Sequence, residues 1–244
     1  MEQTAAPTAA RASWPSALAN LYFSPREAFQ TLLVRPRFWV PLAGFLALSL
    51  AFTGVWLQKV DAREYMRAQI EESGRADKIP PDQLEAMLDT QAGVFPIFAW
   101  LSPLVIVPIG LLAVAGLYVF VFRFLFGGDV TFGQSAAVLA WTFLAVGVIT
   151  TPLTLVVMGL KDDWNLDPRT ALQANVSLFL DRAAVPKPLY SLAESLDLFS
   201  FWILGLLGAG YGVANRKTTA WALGGVAGLW AVYVLGKVAL AAVF

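Results

Sequence analysis

Two ionisable side chains stand where an apolar chain makes charge costly, and they are the first candidates for chemistry. Asp197 opens the uncharged stretch Leu198 to Asn215, and Lys237 interrupts the apolar stretch that begins at Thr218. A charge held against hydrocarbon is unfavourable by about 2.5–3.5 kcal/mol on insertion scales, so such residues mark ion paths, proton relays or internal pairs. Counted from the turn Arg216-Lys217, Asp197 lies about 20 residues back and Lys237 about 20 forward. At about 1.5 Å per residue both then reach the same level. Pairing across this hairpin is one reading. In the other, Asp197 is a helix cap or a bundle-facing carboxylate, while Lys237 points about 180° away from Gly228 and snorkels to the surface. Trp202, Gly205, Gly208 and Gly212 complete the candidate set. At about 100° per residue the three glycines cluster on one side, within about 80° of Asp197, a face expected to meet protein rather than lipid.

The chain has no cysteine and no histidine. Their lack removes disulfides, thiol nucleophiles, Cys/His zinc sites, histidine metalloprotease motifs and histidine proton relays together. The apolar stretches carry no Gly-x-Ser-x-Gly and no paired carboxylates, so Asp197 has no neighbour in sequence for general acid–base work. Asp163, Asn165 and Asp167 imitate the first half of a calcium loop, but Pro168 stands where glycine is required and Ala174 where a bidentate glutamate is required. Asn175-Val176-Ser177 fits the glycosylation pattern, a triplet common by chance. No catalytic residue, cofactor or metal is expected, and the chain is read as not an enzyme.

The elements that must position these residues are membrane elements. Of 244 residues, 58% are hydrophobic and only 14% charged, with a mean hydropathy of +0.64. That is far more apolar than a soluble domain of this size, and the partner it requires is a lipid bilayer. Seventeen basic residues balance 17 acidic ones without forming a basic stripe, which argues against nucleic acid. The predicted fold is all-α: a polytopic membrane protein with five transmembrane helices at about 38–58, 98–124, 131–159, 194–215 and 218–242. Extramembrane loops are expected at 59–95 and 160–190, the first holding two short helices divided by Pro80-Pro81. Pro103 and Pro108 should kink the second span or delay its start, and Pro152 should break the third.

A disordered cytoplasmic tail is expected over residues 1–20, followed by one membrane domain over 21–243. Ser24-Pro25-Arg26-Glu27 is a start signal for a short helix ending before Pro36. Ala28, Phe29, Leu32 and Leu33 share one side of it, which fits either a helix lying in the headgroup layer or one packed on the bundle. For the fourth span, Ser191 and Glu194 form a Ser-x-x-Glu capping box. Gly208/Gly212 and Gly224/Gly228 are small-xxx-small pairs on consecutive helices and predict close contact between the last two spans. With the N-terminus inside, the inner segments hold Arg11, Arg26, Arg35, Arg37, Arg123, Arg216 and Lys217 against Glu2, Glu27 and Asp129. This asymmetry predicts a cytoplasmic N-terminus and an outer C-terminus in the plasma or inner membrane.

Three short motifs carry a family resemblance: Ser24-Pro25-Arg26-Glu27-Ala28-Phe29, Gly127-Gly128 with Thr131-Phe132-Gly133-Gln134, and Leu196-Asp197-Leu198-Phe199-Ser200-Phe201-Trp202. Over about Leu21 to Val243 the chain resembles the Yip1 domain family in its bacterial branch. The resemblance implies a five-helix membrane protein. In eukaryotic members it implies association with prenylated Rab GTPases in vesicle traffic, through a cytoplasmic motif similar to Asp-Leu-Tyr-Gly-Pro. The nearest stretch here is Asn20-Leu21-Tyr22-Phe23-Ser24-Pro25, without the Asp and the Gly. The functional expectation is a non-enzymatic scaffold of membrane organisation or trafficking type that binds protein partners or a second copy of itself. The alternative is a small transporter or channel subunit with a polar site near Asp197.

Overall fold

The computed structural model describes residues 14–72, 78–172, 174–182 and 184–243. Among them the secondary structure is helical, apart from an isolated antiparallel bridge between Asn175 and Asp197. The helices are α1 (Trp14–Phe23), α2 (Pro25–Leu32), α3 (Trp39–Leu57), α4 (Ala62–Glu72), α5 (Pro81–Phe120), α6 (Phe132–Lys161), α7 (Pro168–Ala171), α8 (Lys187–Ser195), α9 (Leu198–Ala214) and α10 (Thr219–Val243). Four are long and apolar enough to cross a membrane: α3, α5 with its extension to Leu125, α6 and α10. The fourth expected span is shorter, because α9 has only 17 residues.

The second span begins earlier than its prolines suggest. Pro96, Pro103 and Pro108 all lie inside one 40-residue helix that starts at Pro81, so the separate short helix expected around 82–88 is its first turns. Each proline deletes one backbone hydrogen bond, yet in hydrocarbon the neighbouring groups have no partner except the helix, which therefore persists. Its polar start is tied to α4: Arg67 donates to Glu85 at 2.7 Å, and Arg63 donates to Asp89 at 2.8 Å and to Glu85. Those carboxylates hold the Arg63 guanidinium above its ordinary pKa. The helix ends in a wider turn, Val121–Leu125, followed by Gly127 at φ 61°, a left-handed position that glycine accepts without strain.

Helix α6 is the centre of the bundle, with an unbroken buried run from Ser135 to Thr142. It starts where the sequence places it: Thr131 accepts from the Gln134 amide, and the Gln134 side chain accepts from the Thr131 amide at 3.0 Å. Around it pack α3, α5 and α9. Short turns at 126–131 and 215–218 mark one end of the bundle, here the turn end, and the segments between α3 and α5 and between α6 and α9 mark the other, the loop end.

The N-terminal segment departs from expectation. Residues 1–13 of the expected tail lie outside the described residues, but Trp14–Phe23 is helical, with Ala17 and Leu21 buried. In α2 the apolar face is covered by the bundle: Ala28 and Phe29 are buried, and Leu33 after the helix is also buried. Of the two readings of this face, packing on the bundle is the one its contacts describe. Leu21 is fully buried, and the Tyr22 hydroxyl donates to the Ala145 carbonyl at 2.8 Å. Leu21 and Tyr22 are thus taken up by internal packing.

Candidate functional site

The break between α8 and α9 sets the geometry around Asp197. Ser191 lies inside α8, buried, with its hydroxyl lacking a hydrogen-bond partner, so the expected capping box does not start the span. Asp197 starts it instead: the side chain is the N-cap of α9 and its Oδ1 accepts from the Ser200 amide at 3.0 Å. Both patterns are valid start signals, and the backbone decides between them. The Leu196 carbonyl accepts from the Val176 amide at 3.2 Å, and the Leu198 amide donates to the Ala174 carbonyl at 3.1 Å. Those two bonds draw the chain out of helical register just ahead of Asp197.

Lys237 does not pair with Asp197. Its ammonium lies 3.0 Å from Oε2 of Glu194, and both side chains are about one third exposed, at 37% and 34%. Of the two readings of Asp197 the cap is found, and the lysine's partner is the glutamate assigned to the capping box. We expect Glu194→Lys with Lys237→Glu to recover most of the detergent melting temperature lost by Lys237→Glu alone, and Asp197→Lys with Lys237→Asp to recover none. Recovery in the second pair only would contradict the observed pairing.

Glu194, Asp197 and Lys237 line one cavity of about 460 Å³, together with Arg169, Thr150 and Asn175. Its four charged groups come from four elements: Arg169 from α7, Glu194 from α8, Asp197 at the head of α9 and Lys237 from α10. Arg169 also pairs with Asp167 at 2.7 Å. Of the imitated calcium loop, Asp167 caps α7 by accepting from the Arg169 amide, while the Asn165 side chain accepts from the Asp61 amide and donates to Glu64. Among the described residues no group of three or more acidic, histidine or cysteine side chains is placed to hold a metal ion.

The remaining candidates divide. A side chain at Gly208 would meet Leu223 of α10 at 2.7 Å, and one at Gly212 would meet the Thr218 carbonyl at 3.1 Å and Arg26 at 3.2 Å, so both sit at the contact between the last two helices. Gly205 is exposed and meets nothing within 4 Å. The matching pair on α10 does not face α9 as expected: Gly224 looks toward Phe126 and Gly228 meets nothing, whereas Gly225, one residue on, lies against Phe122 at 2.7 Å. Trp202 is half-buried, its ring 6.0 Å from that of Tyr22.

Sequence reasoning missed a polar lock at the turn end. The Asn215 side chain accepts from the Val130 amide at 3.0 Å and donates to the Tyr211 carbonyl at 2.8 Å. The Ser135 hydroxyl donates to the Ala115 carbonyl, which leaves its oxygen to accept from the Tyr211 hydroxyl at 2.8 Å. Arg26 of α2 reaches across to the Lys217 carbonyl at 3.0 Å and Thr219 at 3.3 Å. Asparagine directly after a helix is a recognisable C-terminal signal, but nothing in it names the amide 85 residues away that Asn215 serves.

The family model described as Yip1 domain matches residues 19–240. No curated protein matches, and no solved structure does either.

Proposed function

The chain belongs to the Yip1 domain family and is a multi-pass integral membrane protein, and we propose that it acts there as a non-enzymatic scaffold that binds a protein partner or a second copy at its turn end. The observation that carries this reading is a mixed apolar and basic surface. Val34, Phe124 and Leu125 are 76%, 75% and 67% exposed. Beside them in sequence Arg35, Arg37 and Arg123 are exposed as well. The two segments that hold them, 34–37 and 121–125, flank the start of α6, with Pro36 against Gly133. Exposed apolar side chains with arginines beside them, on two segments that both adjoin the start of α6, support such an interaction surface. Leu21 and Tyr22 are not part of this surface, since both are turned into the bundle. A photo-crosslinking residue at Leu125 is expected to yield a discrete adduct in intact membranes, and one at Leu160, 82% exposed at the loop end, is expected to yield none. Equal labelling at both would defeat the proposal.

In this reading α9 serves as a fifth span, its 17 residues covering about 25 Å of a roughly 30 Å hydrocarbon layer with Asp197 at the headgroup level. The turn end, with its basic residues, faces the cytoplasm. Single cysteines at Gln83 and Ala184 in this cysteine-free chain should react with an impermeant thiol reagent in whole cells, and one at Thr31 only after permeabilisation. The opposite pattern would invert the orientation. A second reading, a small transporter or channel subunit, is favoured by the polar cavity at Asp197 and predicts solute flux in proteoliposomes that Asp197→Leu abolishes.

A further inference from the structure

The polar cavity does not end among polar groups. Ser200 and Ile203, which line it, also line a second cavity of about 740 Å³ whose walls include Phe143, Leu207, Trp230 and Tyr233. The two cavities form one stripe along the helices. On α6 the lining residues are Leu139, Phe143, Val146 and Thr150; on α9 they are Asp197, Ser200, Ile203 and Leu207; on α10 they are Trp230, Tyr233 and Lys237. Spacings of three and four residues put each set on one helix face. Charge occupies only the loop end of the stripe, and aliphatic and aromatic side chains occupy the rest. From Thr150 to Leu139 the stripe runs roughly 16 Å at about 1.5 Å per residue, close to half of an about 30 Å hydrocarbon layer.

We infer that this stripe binds a single glycerophospholipid whose headgroup carries both a phosphate and an amine. The charged chamber offers two cations, Arg169 and Lys237, and two carboxylates, Glu194 and Asp197. Arg169 is already paired with Asp167, which stands outside the chamber, and Lys237 with Glu194, so no net positive charge is left over and the chamber matches a zwitterion better than an anionic headgroup. Lys237 takes the phosphate, and the carboxylates take the amine. Asp197 uses Oδ1 on the Ser200 amide, and a carboxylate accepts through about four lone-pair sites, so its capping bond does not exhaust it. The apolar groove beyond Ile203 takes one acyl chain to the depth of one leaflet. This assignment is independent of the partner surface at the turn end.

The test uses the intact protein, delipidated in mild detergent and followed by native mass spectrometry with three probes: phosphatidylethanolamine, phosphatidylglycerol and water-soluble phosphoethanolamine. The expected result is one retained phosphatidylethanolamine, bound at least tenfold tighter than phosphatidylglycerol, and no phosphoethanolamine retained at the same concentration. Ile203→Trp, which fills the junction, should weaken retention at least tenfold, while Leu240→Trp on the exposed face of α10 leaves it unchanged. Should Ile203→Trp fail to fold, Glu194→Gln with Lys237→Gln decides, by erasing the preference between the two lipids. Equal binding of the two lipids by the wild-type protein, wild-type retention by Ile203→Trp, or an unchanged preference in the double variant would reduce the lipid to the ordinary annulus. Phosphoethanolamine binding as tightly as the lipid would remove the groove from the site. Each of these outcomes overturns the inference.

Discussion

Leucine at Gly210 is expected to lower the melting temperature in detergent more than leucine at Gly208 or Gly205 of the same helix. A Cβ at this position would stand 2.6 and 3.1 Å from the two methyls of Val138 and 3.2 Å from the Phe29 ring, and both neighbours are fully buried. Valine is branched at Cβ and has one strongly preferred rotamer in a helix, so Val138 cannot swing aside. Phe29 fixes α2 to the bundle, so the added volume is resisted from two elements at once. Overpacking of this kind costs about 1–3 kcal/mol, which at about 2–4 °C per kcal/mol for a chain of this length is a shift of several degrees. The same substitution at Gly208 should cost less, because it presses on the half-buried and more adaptable Leu223. At Gly205, where nothing lies within 4 Å, leucine should be neutral or slightly stabilising, since glycine is the poorer helix former by roughly 1 kcal/mol. Equal shifts at all three positions would mean that α9 is not packed in this way.

The same helix shows how far the sequence can be read. Gly208 and Gly212 were legible because small residues four apart report close approach whatever the partner is. The partner helix was legible too, but not the residues facing it: Gly208 meets Leu223, and on α10 the packed glycine is Gly225, set by the position of Phe122, a residue more than 100 positions away in sequence. The spans were legible where an uncharged run has no competing signal, as in α3 and α10, whereas α6 runs unbroken through the Pro152 expected to break it. They were misjudged where two local rules disagree. Prolines 96, 103 and 108 argue for interruption, whereas a hydrocarbon solvent penalises every broken bond, and the second effect wins in α5. Ser191 and Asp197 both offer a helix start, and two backbone bonds from residues 174 and 176 select the second.

The candidate site was legible only residue by residue. Asp197 and Lys237 were found because charge beside hydrocarbon is rare, and the cap was one reading of Asp197, but the partner of the lysine was not found. Glu194 already satisfied a capping pattern, and its true role depends on the rotation of α8 against α10, which hydropathy does not encode. The chamber joins residues 150, 169, 194 and 237, which no periodic pattern connects.

Replacing Asn215 with alanine is expected to cost about 1–3 kcal/mol, the penalty for leaving a buried donor unpaired. Asn215 is 1% exposed and Val130 fully buried, so water cannot take over the 3.0 Å bond that the Val130 amide now makes. The loss should be visible locally, as faster hydrogen exchange at the Val130 amide, because this bond ties the turn before α6 to the turn after α9. Asn165→Ala removes an asparagine whose recorded bonds are exposed, and it should change stability by no more than about 0.5 kcal/mol. A double-mutant cycle gives the sharper test. A Cβ at Gly128 would overlap Oδ1 of Asn215 and approach the Phe122 carbonyl at 3.2 Å, so Gly128→Ala should destabilise strongly in the wild-type background. In the Asn215→Ala background the obstructing oxygen is gone, and only the milder contact with Phe122 remains. The two substitutions should therefore be non-additive, the double variant being more stable than the sum of the single losses by about 0.5–3 kcal/mol, the range for residues in contact. Strict additivity would show that the Asn215 side chain does not occupy the space beside Gly128, and the lock at the turn end would then have to be built from Arg26 and Tyr211 without it.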